Sequence, residues 1–217
     1  MPDQSKYDEI SGLYANFAQD ATNPHTILGL ATQSLLEMIT PAPHMVICDL
    51  ACGEGHLSRQ LAESGASITG IDISEKLLDL TQAKNIHTSV QFMQDDAQAL
   101  TQLPQNHFDL VVCNLALMDI LDLRAVYKNV FRILKAGGNF IFSITHPCFQ
   151  SPQTSILTDD KGNFMARRIS RYATEGLWYS TGAGLRAKVG AHHRTISTYV
   201  NELIQCGFIL WQIEEPL

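Results

Sequence analysis

The chain has 217 residues, 45% of them hydrophobic, with 14 glycines and 8 prolines, which is enough for one domain with a sizeable core. Its formal charge of −7 argues against a sequence-independent grip on nucleic acid, which needs clustered Lys and Arg. No apolar run of about 18 residues and no basic-then-apolar N-terminus is visible, so a cytoplasmic protein with no membrane span is expected.

Residues 7–20 place Ile10, Leu13, Tyr14, Phe17 and Ala18 on one face of an amphipathic helix, which Asn23-Pro24 interrupts. A second helix is expected over residues 24–39, with Leu28, Ala31, Leu35 and Ile39 along one stripe and Pro41 and Pro43 beyond its end. Residues 45–50 are an apolar run broken only by Asp49, a buried strand; Gly53-Glu54-Gly55 follows at once and opens a helical pattern with Leu57 and Leu61. Gly65 closes that helix, and residues 67–72 form a second buried strand ending in Asp72. This is one βαβ unit.

Each part of the unit has a chemical reason. Glycines in the turn can take positive φ and let a ligand approach bare backbone, while the helix start offers unpaired N–H groups. Asp72 lies 17 residues past Gly55, near the spacing at which an acid on the second strand accepts from the hydroxyls of a ribose. The dinucleotide fingerprint G-x-G-x-x-G needs a third glycine where Ser58 stands, and Asp49, just before the turn, would repel a pyrophosphate. A nicotinamide or flavin dinucleotide is therefore disfavoured. An acid at Asp49 suits a ligand that carries an ammonium.

Ser74 caps a helix using Leu77, Leu78 and Leu80 that is expected to end near Asn85, and residues 89–94 are a short third strand. Asp95-Asp96-Ala97 follows it, which puts Asp96 at the crevice, able to accept from an adenine amino group or to remain a solvated loop acid. Residues 108–114, FDLVVCN, form a continuous apolar strand. Asp122 caps the next helix, Leu134-Lys135-Ala136-Gly137-Gly138 ends it in a glycine turn, and residues 139–145 are a fifth strand. His146 comes directly after, where it could take a proton at neutral pH or fix the turn before Pro147. Residues 149–194 read as a long loop mixing Trp178 and Tyr179 with arginines, His192, His193 and Gly176, Gly182, Gly184 and Gly190. It is either a substrate cap for an aromatic or acidic small molecule or a solvated basic loop. A last helix over residues 195–206 is closed by Gly207, and residues 208–213 read as a strand. Five cysteines, odd in number and never spaced as C-x-x-C, suit reduced thiols better than disulfides or a zinc site.

D-L-A-C-G-E-G, Asp72, D-D-A, F-D-L-V-V-C-N and L-K-A-G-G before a strand, in this order, resemble the class I S-adenosylmethionine-dependent methyltransferases. The resemblance is closest to their small-molecule branch, which is related to the quinone-biosynthesis enzymes. It implies an α/β fold: a doubly wound, mostly parallel Rossmann-like sheet with helices on both faces. Residues 1–217 would be one domain, with an N-terminal helical lid over 1–44, a cofactor core over 45–148, a cap over 149–194, and a last helix and strand over 195–217. It also implies S-adenosylmethionine as cofactor, S-adenosylhomocysteine as product, no metal, and in-line methyl transfer to an oxygen, nitrogen or carbon of a small molecule. On this pattern Asp49, Ala51, Gly53 and Gly55 form the turn, Asp72 and Ile73 meet the ribose, Asp96 and Ala97 the adenine, and Asn114 and Leu115 border the methyl. Tyr14, on the lid, could reach the cofactor's carboxylate or pack in the core; His146 is the candidate base.

N-L-A-L, in place of N-P-P-Y, argues against base amines and glutamine amides as substrates. A non-catalytic S-adenosylmethionine-binding protein, or a methyltransferase of protein or RNA, are the alternatives. The family's last antiparallel strand has no counterpart before Leu217, and the open sheet edge this leaves could pair with a second copy as a homodimer.

Overall fold

The N-terminal periodicity resolves into two helices, α1 (Gln4–Glu9) and α2 (Ser11–Ala18), and a 3-10 turn (Gln19–Thr22), where the pattern over residues 7–20 suggests one helix. The Ser11 hydroxyl donates to the Asp8 carbonyl (3.1 Å), a local bond that competes with the helical ladder. α3 (Ile27–Met38) starts later than Pro24 because Thr26 caps it, accepting from Gly29 N–H (3.1 Å). The computed structural model describes residues 4–84, 88–152, 154–181 and 184–216; the expected helix end near Asn85, Gly182 and Leu217 lie outside these.

The core follows as β1 (Val46–Leu50), α4 (His56–Ala62), β2 (Ser67–Asp72), α5 (Glu75–Lys84), β3 (Val90–Gln94), β4 (Phe108–Asn114), α6 (Leu123–Ile133) and β5 (Leu134–Ser143). The five strands are all parallel, in the order β3-β2-β1-β4-β5. Ser74 and Asp122 cap α5 and α6 as expected, accepting from Leu77 N–H (3.2 Å) and Ala125 N–H (2.9 Å). β5 begins five residues before the expected 139. Leu134 already pairs with Phe108 and Asn139 then pairs with Leu110, so the glycine turn bulges out between them, with Gly137 at φ 79°.

Alternation along the strands divides the apolar side chains between two cores. Cys48, Leu50, Val111 and Cys113 meet α6 on one face, while Ile47, Leu110 and Val112 meet α3 and α4 on the other. Helices cover both faces, and all five strands end at one edge, where the β1, β2 and β4 loops converge.

Residues 149–194 are not the long loop their composition suggests. β6 (Thr154–Thr158) and β7 (Phe164–Ile169) form an exposed antiparallel hairpin, and β8 (Gly176–Trp178) pairs with β9 (Ala191–His193) across the short helix α7 (Leu185–Val189). The hairpin turn had a local signal: the Asp159 carboxylate accepts from Lys161 N–H (2.9 Å) and Asn163 N–H (2.8 Å). Arg194, 8% exposed, donates to the carbonyls of Leu117 (3.1 Å), Ile120 (2.6 Å) and Leu121 (2.8 Å), tying this region to the loop after β4.

α8 (Ile196–Gln205) is capped by Thr195 and stopped by Gly207 at φ 100°. The strand expected over residues 208–213 does not form. Phe208 packs on Phe131 and Phe140, but among the described residues no neighbouring strand takes up the backbone groups that follow, and Trp211 is 92% exposed. No helix among the described residues is long and apolar enough to cross a membrane.

Candidate active site at the carboxyl edge of the sheet

The turn after β1 is left-handed three times, at Ala51 (φ 57°), Gly53 (φ 55°) and Gly55 (φ 72°). Ala51 holds that conformation against a steric cost of about 1–2 kcal/mol, the kind of strain that collects at functional loops. A Cβ on Gly53 would stand 2.5 Å from the Tyr14 hydroxyl, and one on Gly55 would meet Thr81 and Phe92 below 3 Å, so only glycine fits at either position.

Two carboxylates lie beneath this turn. Asp72 accepts from Gly53 N–H (2.7 Å) and Ser74 N–H (2.9 Å), which fixes the acid at the end of β2 against the glycine turn. Burial pushes its pKa up, and those backbone donors oppose the shift. Asp49, 1% exposed, accepts from the Ser58 hydroxyl (2.6 Å). Burial raises its pKa to about 7, with Ser58 opposing and Asp72 adding to the rise. Ser58 is thus the polar residue on the buried face of α4 that supports Asp49. Glu54 is also buried, neutralised by Arg59 (3.3 Å) and Lys84.

Asn114 donates to Thr32 Oγ1 (2.9 Å) and accepts from the Ser143 hydroxyl (2.6 Å), while Leu115, at φ 53°, donates its N–H to the same hydroxyl (2.9 Å). The Asn114 side chain therefore braces β4 against α3 and β5. At the end of β3, Asp96 accepts from Gln98 N–H (2.9 Å) in a turn of its own, and Ala97 is buried. Ile73 gives its carbonyl to Gln94 Nε2 (3.0 Å). Tyr14, Asp49, Ala51 and Asn114 meet in one small cavity with Thr32 and His56, about 30 Å³ in volume and close to the space of one water. Gly53 adjoins it through Tyr14, and Asp96 and Ala97 lie outside it.

Lid and cap close over this edge. The Asp119 carboxylate, on the 3-10 turn Leu117–Asp119, takes both the Tyr7 hydroxyl of α1 and the Arg186 guanidinium of α7. Sequence spacing carries no trace of this cluster, whose members are far apart in the chain. His146 does not present a free ring: its Nδ1 accepts from Cys148 N–H (3.1 Å) and its Nε2 meets the Glu215 carboxylate (3.2 Å). His193 is buried with Nε2 at the Tyr172 carbonyl (2.7 Å). The His192 ring has no hydrogen-bond partner among the described residues, and burial lowers its pKa, with Arg194 and Lys6 adding to the effect. No group of three or more His, Cys, Asp or Glu placed to hold a metal occurs among the described residues.

A family model described as a methyltransferase domain matches residues 41–184. A ubiquinone biosynthesis O-methyltransferase of Coxiella burnetii is 31% identical over 160 residues, 70% of this chain and 68% of that protein. The crystal structure of an S-adenosylmethionine-dependent methyltransferase from Mesorhizobium loti aligns with a TM-score of 0.74 at 34% identity, covering 84% of this chain and 83% of that one. A Listeria monocytogenes structure provisionally assigned to the same class aligns with a TM-score of 0.76 at 30% identity over 87% and 88% of the two chains.

The Asp49 environment makes a stability prediction. Its folded-state pKa lies above the ordinary carboxylate value, so stability is lost as pH rises through about 7 and the acid ionises without solvent. Asp49→Asn is expected to stabilise the ligand-free protein by about 1–3 kcal/mol more at pH 8 than at pH 4, read from urea midpoints. Equal effects at both pH values would contradict a buried charge.

Proposed function

The chain belongs to the class I S-adenosylmethionine-dependent methyltransferases related to the quinone-biosynthesis enzymes, and on that premise we propose that its acceptor is a small aromatic molecule methylated on a hydroxyl group. When bound, the cofactor supplies an electrophilic sulfonium methyl. The residues present suit it: a cradle that tolerates no Cβ at Gly53 and Gly55, and two buried acids complementary to a cation and to ribose hydroxyls. That pairing of Asp49 with Asp72 beneath a left-handed turn is the observation that carries the reading.

Each oxygen of Asp72 accepts one backbone N–H and keeps capacity for one ribose hydroxyl, with Ile73 beside it. Asp49 faces the cationic end, beside Ala51. Asp96 and the Ala97 backbone read the adenine, and the Leu115 backbone, held by Asn114, borders the methyl. Tyr14 covers the turn and excludes water. A closed, dry site of this kind works mainly by holding both reactants in line.

A hydroxyl acceptor fits the O-methyltransferase relative and the aromatic residues Tyr7, Trp178 and Tyr179 of lid and cap. Its proton needs a base as the new C–O bond forms. His192 suits that role better than His146, because its ring is unengaged, stays neutral at pH 7, and lies on β9 against the 3-10 turn that follows Leu115.

Asp72→Ala is expected to weaken S-adenosylmethionine binding more than tenfold, through loss of charge-assisted bonds worth about 1.5–3 kcal/mol each; an unchanged Kd in calorimetric titration would refute the ribose assignment. Given a turnover assay on catechols and hydroxylated aromatic acids, His192→Gln should lower kcat by about 10²–10⁴-fold with cofactor affinity intact. A kcat within threefold of the parent would exclude His192 as the base.

A further inference from the structure

We propose, resting on the cofactor reading above, that α1 is a strap across the crevice, latched on one side by Asp8 and on the other by Tyr7, and that its opening sets the rate at which cofactor and product exchange. The two residues are neighbours in sequence but reach different walls. Asp8 accepts from the Ser74 hydroxyl (2.6 Å) after β2 and from the Lys76 N–H (3.3 Å) at the start of α5. The Tyr7 hydroxyl bonds the Asp119 carboxylate in the loop after β4, where Arg186 of α7 also meets it. β2 and β4 are the two neighbours of β1 in the sheet, so a helix tied to both loops crosses the end of β1. Beside the strap, the Tyr7 ring meets Tyr14 edge-on, with centroids 6.0 Å apart, and the Tyr14 hydroxyl lies over Gly53.

Three features make α1 an element that opens rather than a fixed wall. At six residues it is well below the length of about 12–15 at which an isolated helix begins to hold in water, so tertiary contacts keep it in place. Those contacts are mainly polar: no residue from 6 to 17 is buried, and Ala18 is the first that is. Segments with few buried apolar side chains open locally at far less than the cost of global unfolding. A break also separates α1 from α2, since Ile10 lies in neither helix and the Ser11 hydroxyl donates to the Asp8 carbonyl there. Rotation about Ile10 lifts α1 alone and exchanges its few hydrogen bonds for water. The latch joins protein to protein, so weakening it favours opening of the empty and the filled crevice alike. Association and dissociation then quicken together and Kd changes little. A residue that only supports the bound ligand would raise the dissociation rate alone.

The test follows S-adenosylmethionine and S-adenosylhomocysteine binding to the immobilised full chain by surface plasmon resonance, beside hydrogen exchange of the ligand-free protein. Asp8→Ala and Tyr7→Phe should each raise both rate constants about fivefold to twentyfold, keep Kd within about threefold, and speed exchange in residues 4–10 while β1 and β4 stay protected. Asp8→Asn, which keeps an acceptor oxygen, should recover most of the parent rates. A rise in dissociation alone, or unchanged rates, would overturn the inference. Faster exchange in β1 and β4 as well would do the same, because it marks a variant destabilised throughout. Binding of neither ligand by the unaltered protein would overturn the cofactor reading and the rate claim with it; the exchange measurement needs no ligand and still decides whether the latch exists.

Discussion

Two carboxylates buried at the ends of adjacent parallel strands are the constraint on which the crevice depends. Asp49 and Asp72 are 1% and 7% exposed, and the charge on Asp72 makes Asp49 harder to ionise. In a medium of low polarity such a pair is costly unless hydrogen bonds or a cation answer it. The fold supplies part of the answer through the Ser58 hydroxyl and the Gly53 and Ser74 N–H groups. On the proposed reading, a ligand with a positive charge near Asp49 would supply the rest.

Lid and cap meet at a further, partly buried acid. Asp119 gathers Tyr7 from the lid and Arg186 from the cap, and its own burial is offset chiefly by that guanidinium. Asp8, on the same helix as Tyr7, accepts the Ser74 hydroxyl (2.6 Å) and so pins α1 two residues from Asp72. α1 is therefore tied both to the turn that follows Asp72 and, together with α7, to the loop after β4.

The sheet was legible because its signals are local and redundant. Apolar runs bounded by glycine turns and by the Ser74 and Asp122 caps identify β1 to β4 within one residue, and alternation along β1 and β4 provides the two cores. The positions of Asp49 and Asp72 were legible for the same reason, since each lies at or next to the carboxyl end of a strand. The cap was not, because its antiparallel pairs are short and exposed and their registry depends on tertiary contacts such as Arg194 with the loop after β4. The strand expected at residues 208–213 has the right composition, but a strand needs a neighbour, which composition does not reveal. Which ring nitrogens of His146 and His193 are already engaged is a property of folded geometry alone.

The central claim is that the buried acids and the glycine turn form a site for a cationic adenosyl ligand and reject a dinucleotide. The most direct test is parallel calorimetric titration of the unaltered protein with S-adenosylmethionine and NADH. Micromolar binding of S-adenosylmethionine with no heat from NADH is the expected result. Binding of NADH, or silence with S-adenosylmethionine, would contradict the account.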